Sequence, residues 1–170
     1  MKKMFTYTLM LLLAAVAFTS CEPDPDRDLA YDIEGVWEGA INGDYYARRY
    51  SSNYNDYTTE IEFVRVDAYG GYGYEVDYRS RYSSGSPIGF DWTVKNGNIY
   101  LEYDDGYNVI ITDYKVRMRD RLVFTGYFED WDTGEQLAAF RLYKIAEPTY
   151  DYDYGTRYSR STKPGSDAKE

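Results

Sequence analysis

Between about Ile33 and Ala146 the chain alternates apolar and polar residues with period two in one segment after another, and that pattern leaves room for little except β-sheet. Ile61 and Phe63 oppose Glu60 and Glu62, while Ile88, Phe90, Trp92 and Val94 oppose Gly89, Asp91, Thr93 and Lys95. Tyr72, Tyr74, Val76 and Tyr78 oppose Gly73, Glu75, Asp77 and Arg79 in the same way, and Ile110, Thr112, Tyr114, Val116 and Met118 alternate with Ile111, Asp113, Lys115, Arg117 and Arg119. Leu122, Phe124, Gly126 and Phe128 line one face of a further segment. Turn signals fall between the runs, notably Asn96-Gly97, Asp105-Gly106 and Thr133-Gly134, where the backbone can take positive φ in a tight hairpin. The spacing predicts eight strands, over residues 35–42, 57–67, 72–82, 88–95, 98–104, 108–118, 121–129 and 136–145. Residues 43–56 read as a long loop or as an added strand near Tyr45 to Tyr50.

Consecutive hairpins make an antiparallel meander, and eight strands suffice to close it into an all-β barrel with no exposed sheet edge. A two-layer antiparallel sandwich is the competing arrangement. In the barrel, Tyr72, Tyr74, Tyr78, Phe90, Trp92, Tyr114, Phe124 and Phe128 are predicted to project inward. Such rings either fill the interior or line a pocket for a small apolar or amphipathic molecule.

The first twenty residues bear on location. Lys2 and Lys3 precede an apolar run from Leu9 to Phe18, and Phe18-Thr19-Ser20 leads into Cys21, the only cysteine. A run of that length rises about 15 Å as a helix, half of a bilayer's hydrocarbon core, so residues 1–20 read as a secretion signal and not as a permanent span. Phe18 to Cys21 resembles the lipobox of bacterial lipoproteins, which implies cleavage before Cys21 and acylation of that residue. More than one lipid tail at Cys21 would hold the chain stably on a membrane. Residues 21–32 then read as an acidic tether: Pro23 and Pro25 argue against helix and for an extended spacer reaching at most about 35 Å. The acidic run after the cysteine also resembles the export signals of surface lipoproteins in Bacteroidota, placing the protein in the outer membrane and facing outward. Residues 147–170 carry Tyr150-Asp151-Tyr152-Asp153-Tyr154 and a polar stretch with almost no aliphatics, the composition of a disordered tail.

Removal of residues 1–20 takes away two lysines and no carboxylate, so the formal charge moves from -10 to -12. A surface that acidic repels nucleic acid and anionic lipid heads alike. Histidine is absent and Cys21 is committed to lipid, which excludes histidine-assisted serine or cysteine catalysis and histidine zinc sites. Asp91, Glu102, Asp104 and Asp105 are carboxylates on neighbouring strands, but the first two fall on polar faces and the others in a turn, so they do not read as a glycosidase pair. Asp130-Trp131-Asp132-Thr133-Gly134-Glu135 lacks the ligand spacing of a helix-loop-helix calcium site and reads as a hairpin turn capped by aspartate. No catalytic residue, metal or cofactor is expected.

Gly35-Val36-Trp37 at the start of the first strand resembles the glycine-any-tryptophan signature of the lipocalins and wider calycin group. With the eight-strand count, the long first loop and a basic residue on the last strand, the resemblance covers residues 33–146. It implies that Trp37 closes one end of the barrel, packed against Arg141 of the final strand, as a cation over an indole face. Ligand transport is not implied, because the other signatures of transport lipocalins are missing. Two functions are therefore expected: a lipid-anchored, non-enzymatic barrel that binds a small apolar or amphipathic ligand, or a surface module that holds glycan or protein through exposed tyrosines of residues 43–56 and the tail, in a chain that has 22 tyrosines.

Overall fold

The computed structural model describes residues 23–43, 57–78 and 85–149. Eight antiparallel strands form a closed barrel in simple sequence order: β1 (Gly35–Gly43), β2 (Thr58–Arg65), β3 (Gly70–Tyr78), β4 (Ile88–Lys95), β5 (Asn98–Tyr103), β6 (Val109–Met118), β7 (Leu122–Asp130) and β8 (Gln136–Ala146). The strand positions follow the period-two reading closely. Pairing of β1 with β8 over Val36 to Gly43 closes the sheet, which removes the sandwich from consideration. Asn96 and Gly97 both take positive φ in the β4–β5 turn, as a two-residue hairpin of mirror-image type requires. The signal segment, Cys21, the loop of 44–56 and the tyrosines of 150–170 lie outside the described residues.

The tether expectation needs correction. Pro25–Ile33 is an α-helix, α1, because Pro25 occupies its first turn, where no amide donor is needed and a fixed φ favours helix. Asp24 is its N-cap and accepts a hydrogen bond from the Arg27 amide at 3.2 Å. Leu29, Ala30 and Ile33 are buried along one side of the helix. The Trp37 indole N–H donates to the Ile33 carbonyl at 2.7 Å, satisfying one of the acceptors a helix C-terminus leaves open. The Asp26 carboxylate accepts from the amides of Asn96 and Gly97, both at 2.8 Å, which pins the helix to the β4–β5 turn. Arg65, at the end of β2, pairs with Glu34 at 3.2 Å and lies 3.8 Å over the Tyr31 ring. α1 therefore plugs the barrel end where β1 begins.

Above this plug the interior is filled by rings. Trp37 meets Phe124 at 5.3 Å, and Phe124 meets both Phe140 at 4.9 Å and, across the barrel, Phe63 at 6.4 Å. Phe63 also contacts Trp92 and Phe90, and Phe128 contacts Phe140. All of these rings are buried, and edge-to-face or tilted packing of this kind adds to what burial alone contributes. Gly73 and Gly126 make the room: a Cβ on either would run into Phe90 or Phe140.

Candidate functional site

Residues opposite one another on adjacent strands point to the same side of the sheet, so the register assigns each expected site residue to a face. Phe63 pairs with Gly73, and Gly73 with Phe90, which places Gly73, Glu75 and Asp77 on the inner face. Tyr72, Tyr74 and Tyr78 consequently face outward, against the expectation that they line the interior. The cause is phase. β3 alternates cleanly, but its aromatic half pairs with Val64, Glu62 and Thr58 of β2, whereas the inward positions of β2 are Ile61 and Phe63. Phe90, Trp92 and Phe124 do lie inside, fully packed, and Tyr114 is half-buried against the core. Burial raises the Tyr114 phenol above its ordinary range, helped by the Asp26 and Asp32 carboxylates of α1.

The expected Trp37–Arg141 pair is also corrected. Gly35 and Trp37 are buried at the plugged end, but Arg141 pairs with Ala40 and is exposed on the outer face, between the inward Phe140 and Leu142. The residue opposite Trp37 is Lys144, in the same unbroken register that sets Arg141 opposite Ala40; the irregularity in the β1–β8 pairing comes only beyond it, between Trp37 and Val36. Its stem occupies the space that a Gly35 side chain would claim, and its ammonium reaches Glu147 at 2.9 Å. That glycine has a φ of 135°, a second reason for the residue type.

The outward tyrosines belong to the most feature-rich surface of the barrel, the outer wall of β3, β4 and β5. Tyr72 and Tyr74 stand edge to face at 5.9 Å. Tyr72 pairs with Asp91, and Asp91 with Glu102, so one row across the wall carries an aromatic ring and two exposed carboxylates. In the next row Tyr74 pairs with Gly89, whose missing side chain leaves space that the Asp104 carboxylate occupies. Partial burial and then its neighbours Tyr72, Glu62, Asp104 and Asp91 push the Tyr74 phenol upward, so it stays a hydrogen-bond donor through the neutral range. Tyr100, two positions from Glu102 on the same face of β5, meets Trp131 of the β7–β8 turn edge to face at 5.1 Å. Rings for stacking and carboxylates for accepting hydroxyl hydrogens are thus interleaved over a few strand spacings, an arrangement suited to sugar faces. Tyr100 and Trp131 were not singled out by sequence; correct assignment of the outer face would have joined them to Tyr72 and Tyr74.

A second polar group sits inside, towards the end of the barrel away from α1. Thr59, Glu75 and Asp77 are buried there, with Thr59 Oγ1 donating to Asp77 Oδ1 at 2.6 Å and the Tyr103 hydroxyl donating to Glu75. Buried carboxylates require such donors. The Asp130 turn behaves as the sequence suggests, its carboxylate accepting from Asp132, Thr133 and the Thr133 hydroxyl. Among the described residues no group of three or more acidic side chains is placed to hold a metal ion. At the chain's far end, Thr149 donates from its amide to the buried Glu62 at 2.7 Å, so residues 147–149 lie against the barrel and not in the free tail expected from Glu147 onward.

No protein-family model, curated protein or solved structure matches the chain.

Proposed function

We propose that this chain is a lipid-anchored, non-enzymatic protein of the bacterial cell envelope whose lipocalin-like barrel is a rigid binding module, holding a glycan on the outer wall of β3–β5. The observation that carries this reading is the Tyr72–Tyr74 pair beside Asp91 and Glu102, on a wall whose reverse side is solid core. A hollow carrier is less well supported, because Phe90, Trp92 and Phe124, expected to line a ligand cavity, pack against other rings. Kinship with lipocalins draws support from the helix-plugged end and from Gly35 and Trp37 within it. A second reading, a small amphipathic ligand at the mouth, rests on the inward polar group of Thr59, Glu75, Asp77 and Tyr103.

The test uses the mature chain with Cys21→Ser, titrated calorimetrically with a panel of neutral oligosaccharides. Tyr72→Ala with Tyr74→Ala is expected to weaken binding at least tenfold with little change in thermal stability, since each aromatic contact is worth about 1 kcal/mol. Unchanged affinity would remove the outer wall from consideration. A small molecule retained in native mass spectra and released only on unfolding would favour the mouth. Metabolic labelling with a fatty-acid probe, present in the parent chain and lost in Cys21→Ser, tests the anchor separately.

A further inference from the structure

We propose that the helix-plugged end of the barrel, together with the outer wall of β6–β8 next to it, rests on the anionic headgroups of the bilayer that holds the lipid anchor. The inference rests on the anchoring part of the proposed function and is independent of the glycan site.

Three observations converge on this end. The chain reaches the barrel here: only two residues separate Cys21 from the helix cap Asp24, a span of at most about 11 Å, so an acylated Cys21 keeps the plugged end at the membrane surface. The same rim carries most of the large apolar side chains left in solvent. Val66 follows β2, Tyr69 precedes β3, Met118 ends β6, Ile145 is the last residue but one of β8 and Tyr31 is on α1; Met118 is 70% and Val66 69% exposed. The mid-barrel and the mouth show only Tyr127 of this kind among the described residues.

Charge supplies the third. In a chain that is acidic overall, Lys115, Arg117, Arg119, Arg121 and Arg141 gather on one outer wall, around a groove of about 200 Å³ floored by Thr125 and Tyr143. Lys115, Thr125 and Arg141 form one row across β6–β8, and Arg117, Val123 and Tyr143 the next, so the cations are set by register and not by chance rotamers. Arg121 lies 3.8 Å over the Tyr143 ring. None of these five cations makes an ion pair among the described residues. Around α1 on the same rim, Asp24, Asp26 and Asp67 are engaged by Tyr69, Asn96, Gly97 and Gly70, while Asp28 and Asp32 face solvent. Glu38, Asp113 and Asp120 are exposed on or beside the basic wall, so five cations against three acids leave it locally positive, and the barrel would lean on its β6–β8 side. Net charge, which argues against electrostatic docking, averages over this local excess of cations.

The experiment uses the cysteine-free mature chain, Cys21→Ser, mixed with vesicles of zwitterionic lipid alone or with about one-third anionic phospholipid. Salt-sensitive binding to the anionic vesicles only is expected. Arg117→Gln with Arg119→Gln should weaken it about fivefold for each cation removed. Gln136→Glu with Thr58→Glu, which changes net charge equally at the mouth, should have little effect. A nitroxide at Met118→Cys should become accessible to dissolved oxygen in the bilayer, and one at Gln136→Cys should not. Binding absent at low salt, equal loss in the two charge variants, or immersion of position 136 would each overturn the proposal. So would tighter binding to an acidic polysaccharide than to vesicles, which would reassign the cations to a polymer ligand. Failure of fatty-acid labelling with vesicle binding intact would refute the anchor and leave the docking face standing.

Discussion

The two ends of the barrel solve closure differently. At the plugged end the solution is apolar and local: α1 packs Leu29, Ala30 and Ile33 against the core, Trp37 caps the helix, and the rings of Phe124 and Phe63 sit directly above. Towards the mouth, inward positions instead carry Thr59, Glu75 and Asp77, groups that cost free energy to bury unless each finds a partner. Apolar packing tolerates neighbours of many shapes, whereas buried carboxylates demand donors in particular places. The plugged end is thus expected to supply stability, and the mouth to supply a defined polar arrangement at the expense of stability.

Trp37→Ala gives the largest expected effect and the sharpest test of that division. It removes a fully buried indole and leaves the Ile33 carbonyl without its donor, so a loss of about 3–5 kcal/mol is expected by denaturant unfolding. A loss under about 1 kcal/mol would mean that the plug contributes little. Tyr103→Phe is the matching probe of the mouth. It takes one donor from Glu75, which has further contacts, and a loss of about 1–3 kcal/mol is expected, with the lower part of the range favoured by those contacts. A cost equal to that of Trp37→Ala would erase the distinction between the ends.

How legible this was varies with the kind of information each feature needs. Strand positions, turn dipeptides and the closed meander follow from local alternation and from residues such as Asn96 and Gly97 that favour one backbone state. The inward phase of β3 does not. Alternation of tyrosine with glycine and acid reads as tyrosine inward, yet the partner strand decides, and inward Ile61 and Phe63 force Gly73, Glu75 and Asp77 to turn in with them. Arg141 fails as the partner of Trp37 for a related reason: register sets Lys144 opposite Trp37 and Arg141 opposite Ala40 on the other face, and the offset between two strands is not written in either alone. α1 was readable. Asp24-Pro25 has the form of a cap followed by a first-turn proline, and Leu29 and Ile33 are one helical turn apart.

The smallest expected effect concerns how α1 is held at its exposed start. The Asp24 carboxylate accepts from the Tyr69 hydroxyl at 2.7 Å as well as from the Arg27 amide, and the Tyr69 bond is the main reason its pKa lies below the ordinary carboxylate value. Tyr69 is raised in turn by the same bond. Because the folded-state value of Asp24 is depressed, its contribution is present above the unfolded value, near pH 4, and is lost as pH falls through the folded one. Both groups are at the surface, so solvent and salt screen the interaction and the global stability curve should barely register it. A residue-resolved NMR titration does register it: the Asp24 midpoint should rise in Tyr69→Phe towards that of an ordinary aspartate. Identical midpoints in the two proteins would show that Tyr69 does not hold the cap in solution, leaving Asp26 and the β4–β5 turn to position the helix.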